Sequence, residues 1–284
     1  MSINSIFERI FAGRWLAGAR IQDAIRVAKQ FNKSGVSASI NYLGETLNQK
    51  AQVDHTVKTY IALIHAIRKA RINASISLKP SQLGIQIDRR IAEDNYAKIV
   101  NLARKNGIFV WLDMEEHDYV DLTINLYKTQ LGAGMVGICI QSYLKRSQMD
   151  VERLVKLGAV IRLVKGAYHE NQGIAYASRE ETTRNYLHLM EYLFRHADRF
   201  MVATHDPEMI NHALELNRSY RREVIYAMLN GIRNRSLVRL AGMGNKSSVY
   251  IPFGERWLAY TLRRLREGSN LFLILRSLFE SQHF

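Results

Sequence analysis

The sequence predicts an α/β fold closed into a single (β/α)8 barrel of the TIM type, and three observations carry that expectation. Eight short apolar runs punctuate the chain, at 37–43, 72–78, 108–114, 135–140, 159–164, 200–204, 223–228 and 248–251. Segments with helical spacing lie between them, such as Val57, Ile61 and Ile64, or Leu187, Met190 and Leu193. Successive runs begin roughly 24 to 40 residues apart, enough for one strand, one helix and two loops. Eight such units favour a closed barrel over an open doubly wound sheet. The runs also read as apolar on both faces, as buried parallel strands do.

Ahead of the first run, Ile21, Ala24, Ile25, Ala28 and Phe31 share one face of an amphipathic helix. Residues 1 to about 36 are therefore expected as a helical extension of one domain spanning 1–284. The prolines Pro80, Pro207 and Pro252 each fall just after a predicted strand, where a missing N–H costs little. Gly132-Ala-Gly134-Met-Val-Gly137 fits a dinucleotide fingerprint, but it precedes a strand instead of following one, so it reads as a loop of small residues. The single cysteine, Cys139, lies in an apolar run and reads as a small core residue, which leaves neither a disulfide framework nor a Cys-based zinc site.

No apolar stretch reaches the roughly 18 residues that span a bilayer. The first residues carry Glu8, Arg9 and Arg14 where a signal peptide would be apolar, so a cytoplasmic location is expected. The net charge of +14 is spread over many segments, without a recognition-helix or zinc-finger signature. A solvated basic surface is expected, with an anionic membrane surface as the alternative partner and no nucleic acid.

In such barrels the active site is built at the C-terminal ends of the strands. Lys79 stands at the end of the second strand, Asp113 at the third with Glu115, Glu116 and His117 behind it, and Gln141 at the fourth. Arg162 and Lys165 belong to the fifth, Thr204, His205 and Asp206 follow the sixth, and Tyr250 is on the eighth. Lys79 and Asp113 equally read as a structural ion pair at the rim. Glu115, Glu116 and His117 do not read as a metal site, because no second histidine stands at ligand spacing. The set suits an anionic ligand rich in hydrogen-bonding groups, such as a phosphate-bearing cofactor. On a late helix, Tyr260, Arg263 and Arg264 stand at i, i+3 and i+4. Two guanidinium groups side by side make a carboxylate clamp, and a solvated basic face is the alternative.

Nine stretches occur together in order: Phe11-Ala-Gly13, Tyr42-Leu-Gly-Glu45, Ile76-Ser-Leu-Lys79-Pro-Ser-Gln-Leu-Gly84, Trp111-Leu-Asp113-Met-Glu115, Gln141-Ser-Tyr143-Leu, Arg162-Leu-Val164-Lys165-Gly166-Ala167-Tyr168, Ala203-Thr-His205-Asp206, Tyr250-Ile-Pro252-Phe-Gly254 and Tyr260-Thr-Leu-Arg263-Arg264-Leu. In these stretches the chain resembles the flavin-dependent proline dehydrogenases. The resemblance implies a distorted barrel that binds FAD at the strand C-termini and oxidises L-proline to 1-pyrroline-5-carboxylate by hydride transfer. It implies a quinone or membrane electron-transfer chain as acceptor, and peripheral contact with the inner face of the cell membrane. Lys79, Asp113 and Arg162 are the implied catalytic residues. Arg263 and Arg264 are implied to clamp the proline carboxylate, with Lys79 in reach of it, and Tyr250 and Tyr260 to wall the ring. A tyrosine at 250 favours proline over hydroxyproline. The implied flavin contacts are Gln141, Arg162, Val164, Lys165, Gly166, Ala167, Thr204, His205 and Glu267. A flavin dehydrogenase of another cyclic or N-alkylated amino acid, or a non-redox basic barrel binding lipid or nucleic acid, are the alternatives.

Overall fold

The computed structural model describes residues 15–168 and 170–255. Its strands are β1 Ser37–Tyr42, β2 Ala74–Leu78, β3 Val110–Leu112, β4 Val136–Gln141, β5 Val160–Val164, β6 Arg199–Ala203, β7 Glu223–Leu229 and β8 Lys246–Phe253. Each pairs in parallel with the next, and β8 pairs with β1 to close the barrel. All eight expected runs are strands, with ends moved by one or two residues. Pro252 departs from expectation: it lies inside β8, in register with Asn41, and not after it. The ring is tolerated near the strand end because the carbonyl still pairs, accepting from the Ala17 N–H at 3.0 Å.

The outer layer consists of α1 Ile21–Lys33, α2 Lys50–Ala70, α3 Arg89–Lys105, α4 Val120–Leu131, α5 Ser147–Lys156, α6 Arg179–His196, α7 Pro207–Tyr220 and α8 Asn234–Gly242. Of the expected N-terminal helical extension, α1 is present; it buries Ala24, Ala28 and Phe31. Residues 1–14 lie outside the described residues. Several helix-to-strand connections use one device. Helix α3 ends in Gly107 at φ 69°, and the Ile108 N–H returns to the Ala103 carbonyl at 2.9 Å. Glycine takes that left-handed turn without a Cβ penalty, so the chain drops directly from helix into strand.

Side chains alternate across a strand, and the alternation separates two environments. Outward residues such as Ile40, Ile76, Leu112, Ile138, Leu163, Val202, Val224 and Val249 are buried in one continuous core with the helices. Inward positions carry Ser39, Asn41, Ser77, Arg162, Ser248 and Tyr250, so β1, β2 and β8 are not apolar on both faces as expected. The inner face of these strands lines the way to the barrel mouth and is polar for that reason. Farther from the mouth the interior is dry: Trp111, Met201 and Ala227 form their own cluster, with Phe109 against them. Below it the Arg199 guanidinium lies 4.9 Å from the Phe109 ring centre and pairs with Glu223, which also takes Lys246 at 2.9 Å. The end of the barrel away from the mouth is thereby plugged.

Charge is distributed along the barrel axis. Each of the eight described α-helices carries a basic residue in its last turn, from Lys33 in α1 to Arg239 in α8. Those turns ring the plugged end, where cations complement the helix dipoles.

Candidate active site

Of the sequence-predicted residues, those within the described part of the chain lie on or just after the C-terminal ends of the strands. Asp113, just after β3, is buried and accepts hydrogen bonds from three neighbours: Ser77 Oγ at 2.6 Å, Tyr250 Oη at 2.9 Å and Arg162 Nη2. Arg162 reaches it past β4, whose inward residues Gly137 and Cys139 are small. A Cβ at Gly137 would come within 2.5 Å of the Trp111 ring. Cys139 is buried and unbridged, as expected of a small core residue. The guanidinium lies between aromatics, its central carbon 5.2 Å from the Trp111 ring centre and 5.4 Å from that of Tyr250. Burial works against its charge, but the Asp113 carboxylate together with Cys139 and Tyr250 more than offsets burial and holds Arg162 protonated.

Lys79 and Asp113 do not pair with each other, which removes the rim ion pair. Asp113 is engaged by Ser77, Tyr250 and Arg162, and the Lys79 ammonium turns to Glu45 at 3.1 Å and Tyr168 Oη at 3.3 Å. Burial disfavours the Lys79 ammonium, yet Tyr168 and the carboxylates of Glu45, Glu115 and Asp113 more than offset it, so its pKa lies well above the ordinary lysine value. The site therefore holds two buried cations, Lys79 and Arg162, each with its own carboxylate.

Beyond β5 the backbone continues to pair with the segment after β4. The Ser142 N–H donates to the Val164 carbonyl at 2.8 Å, and the Tyr143 N–H to the Lys165 carbonyl at 2.9 Å. Gly166 sits at φ 115°, and a Cβ there would collide with the Tyr143 ring. Val164 and Ala167 are half-buried beside it. Lys165 is 3.6 Å from Asp206 and donates to Thr183 Oγ1 at 3.2 Å; burial pushes its pKa below the ordinary value, with Asp206 opposing. Thr204 Oγ1 accepts from the Asp206 N–H at 3.1 Å, and His205 Nε2 accepts from the Leu229 N–H at 3.4 Å. Gln141 is buried, and its amide donates to the Glu115 carbonyl at 2.8 Å. Glu115 and Glu116 part company: Glu115 is buried against Ser81, and Glu116 is exposed. Tyr260, Arg263, Arg264 and Glu267 lie outside the described residues.

The matching stretches also run on through residues whose part was not read from sequence. Ser77 holds Asp113, and Glu45 and Tyr168 hold Lys79. Ser77 was legible in principle, since it stands two residues before Lys79 and shares its face of β2. Glu45 comes from the loop after β1, whose path no spacing rule gives.

The comparison with known proteins decides the family. The proline dehydrogenase family model matches residues 24–271. This chain belongs to the proline dehydrogenase family. Similar members include proline dehydrogenase from Deinococcus radiodurans, 34% identical over 90% of this chain and 86% of its own length. Proline dehydrogenase 2 of Bacillus subtilis is 30% identical over 91% of this chain and 87% of its own length. Among solved structures, proline utilization A from Bdellovibrio bacteriovorus inactivated by N-propargylglycine superposes with a TM-score of 0.87 at 22% identity. That match takes in 97% of this chain but 35% of the longer protein. The barrel is the fold shared with that structure.

Proposed function

We propose that this proline dehydrogenase family member oxidises L-proline to 1-pyrroline-5-carboxylate using bound FAD, with a quinone as the final electron acceptor. The observation that carries the reading is the buried Arg162–Asp113 pair beside Lys79. It sets two fixed cations at the barrel mouth, one suited to the anionic substrate and one to the cofactor.

The residues present fit FAD. Arg162 Nη1 is buried with no hydrogen-bond partner among the described residues, so a donor is left over for an acceptor on the flavin ring. Gly166 keeps the chain free of a side chain where the backbone passes Tyr143, and the half-buried Lys165 ammonium is proposed to meet a phosphate. Gln141, Val164, Ala167, Thr204, His205 and Glu267 are proposed to complete the cofactor contacts. When bound, FAD would supply the oxidising power for removing a hydride from the ring carbon beside nitrogen.

The chain's own residues bind and orient. Lys79, with Arg263 and Arg264, is proposed to hold the substrate carboxylate, and Tyr250 and Tyr260 to wall the ring, which places the reacting C–H as a proximity contribution. Asp113 fixes the Arg162 plane through a direct bond. Arg162 remains charged as negative charge arrives on the cofactor, where a preorganised cation is most effective.

The residues proposed to hold the cofactor stand at the mouth, so any peripheral contact with the inner face of the membrane is proposed for the mouth end. The basic ring of helix ends faces the other way and is accounted for by the helix dipoles. No described helix is long and apolar enough to cross a membrane.

Replacing Lys79 with methionine tests the division of roles. Losing the ammonium should weaken L-proline binding by about 2 kcal/mol or more, roughly 30-fold, with FAD retained. Unchanged affinity for L-proline would remove Lys79 from the substrate site.

A further inference from the structure

We infer that Glu115 is a positioning residue that sets the substrate arm and the cofactor arm of the site relative to each other. The inference rests on the proposed roles of Lys79 and Gln141 and adds a residue to neither.

Glu115 is 4% exposed, and its carboxylate directs both oxygens at one residue. Oε2 accepts from the Ser81 N–H at 2.8 Å and Oε1 from Ser81 Oγ at 2.7 Å. Ser81 belongs to the single helical turn Pro80–Gln82 that begins directly after Lys79. The other side of that turn is held as well. Gln82 Oε1 accepts from the Lys79 N–H at 3.1 Å and from Tyr60 Oη at 3.1 Å, and its amide donates to the Tyr42 carbonyl at 2.6 Å. The stem of Lys79 is thus clamped from both sides, by Gln82 toward β1 and by Glu115 toward β3.

The carbonyl of Glu115 accepts the Gln141 amide at 2.8 Å. One residue therefore joins the turn that carries Lys79 to the side chain proposed to contact the flavin. Burying a carboxylate is costly, and burial raises the Glu115 pKa, with Lys79 and the Ser81 bonds opposing. A buried acid whose hydrogen bonds go to the backbone and hydroxyl of a neighbouring loop fixes that loop's geometry. The same loop reaches substrate, so its geometry is a property of the site.

The test compares Glu115→Ala, Glu115→Gln and Ser81→Ala in the FAD-loaded full chain. FAD affinity is read from reconstitution of the apoprotein, KM and kcat from L-proline turnover, and folding from the unfolding midpoint. Glu115→Ala keeps the carbonyl that holds Gln141 but loses the two charge-assisted hydrogen bonds that anchor residue 115, and should raise KM and the FAD dissociation constant about tenfold each. Glutamine can still accept from the Ser81 N–H and donate to Oγ, so Glu115→Gln should bring both values back to within about threefold of the parent. Ser81→Ala touches only the Lys79 arm, and should raise KM about threefold with FAD affinity unchanged. That split separates positioning from a general loss of stability, and it survives should Glu115→Ala fail to fold.

The inference is wrong if Glu115→Ala folds and leaves both KM and FAD affinity at parent values. It is equally wrong if Ser81→Ala moves only the unfolding midpoint, or if Glu115→Gln is as impaired as alanine. A parent protein that binds FAD but is not reduced by L-proline refutes the proposed function instead. In that event the FAD affinities of the Glu115 variants still decide whether Glu115 orders the cofactor arm.

Discussion

Removing the Asp113 carboxylate is the perturbation with the largest expected consequence. In Asp113→Ala the Arg162 guanidinium keeps its charge but is enclosed by the Trp111 and Tyr250 rings, at 5.2 and 5.4 Å, with its side chain 6% exposed. Ser77 Oγ and Tyr250 Oη lose their shared acceptor in the same step. Breaking a buried ion pair by deleting one partner costs about 3–5 kcal/mol, because the other charge remains desolvated. For a chain of this size that is roughly a 10 °C fall in unfolding midpoint, at about 2–4 °C per kcal/mol. Calorimetry or denaturant titration of the apoprotein measures it without interference from the cofactor. The pair also allows an internal control. Replacing both partners with apolar residues, as in Asp113→Leu with Arg162→Met, should recover most of the lost stability while abolishing activity, since buried pairs are often matched by apolar packing. A single Asp113→Ala variant within about 1 kcal/mol of the parent would refute the reasoning. Arg162 would then be solvated or satisfied elsewhere, and the case for a fixed buried cation at the flavin would fall with it.

Two further outcomes follow from the geometry. Gly166→Ala puts a methyl group into the Tyr143 ring at a φ that L-residues rarely adopt, so it should cost about 3 kcal/mol and lower the flavin content of the purified protein; a fully flavinated, equally stable variant would contradict this. Lys165 gives a pH dependence: burial depresses its pKa, so its charge is lost at a lower pH than that of a free lysine. FAD affinity should accordingly hold at neutral pH and decline as pH rises through that depressed value. Lys165→Met should bind more weakly at neutral pH and remove this decline, and an unchanged alkaline profile in the variant would assign the effect elsewhere.

Most of the barrel was legible because its signals are local and repeated. Apolar runs such as 136–140 and 159–164 mark strands wherever they lie, and their number implies closure. The mistaken expectation of two apolar faces arose where the pattern is weakest. Ser37-Ala-Ser39-Ile alternates small polar with apolar, and serines alone do not announce which face meets a lumen. The site was legible as a set of strand ends but not as a set of partners. Lys79 and Asp113 both follow their strands directly, so an ion pair between them was as reasonable as any. Which carboxylate each cation finds depends on the lateral packing of β3, β4 and β5 and on the loop that delivers Glu45. Glu115 was likewise visible only as one of three polar neighbours in a row. Its turn inward, against the outward turn of Glu116, comes from the Ser81 bonds and not from its spacing. The proposed carboxylate clamp of Tyr260, Arg263 and Arg264 lies outside the described residues and rests on the sequence.

A flavin held at Arg162 is proposed as the oxidant of L-proline. Anaerobic titration of the flavin-loaded protein with L-proline, followed by visible absorbance, tests it most directly. Stoichiometric bleaching of the flavin band by L-proline is expected, with none by hydroxyproline under the same conditions and the cyclic imine formed in equal amount. A protein that takes up no flavin, or whose flavin spectrum is untouched by saturating L-proline, would contradict it.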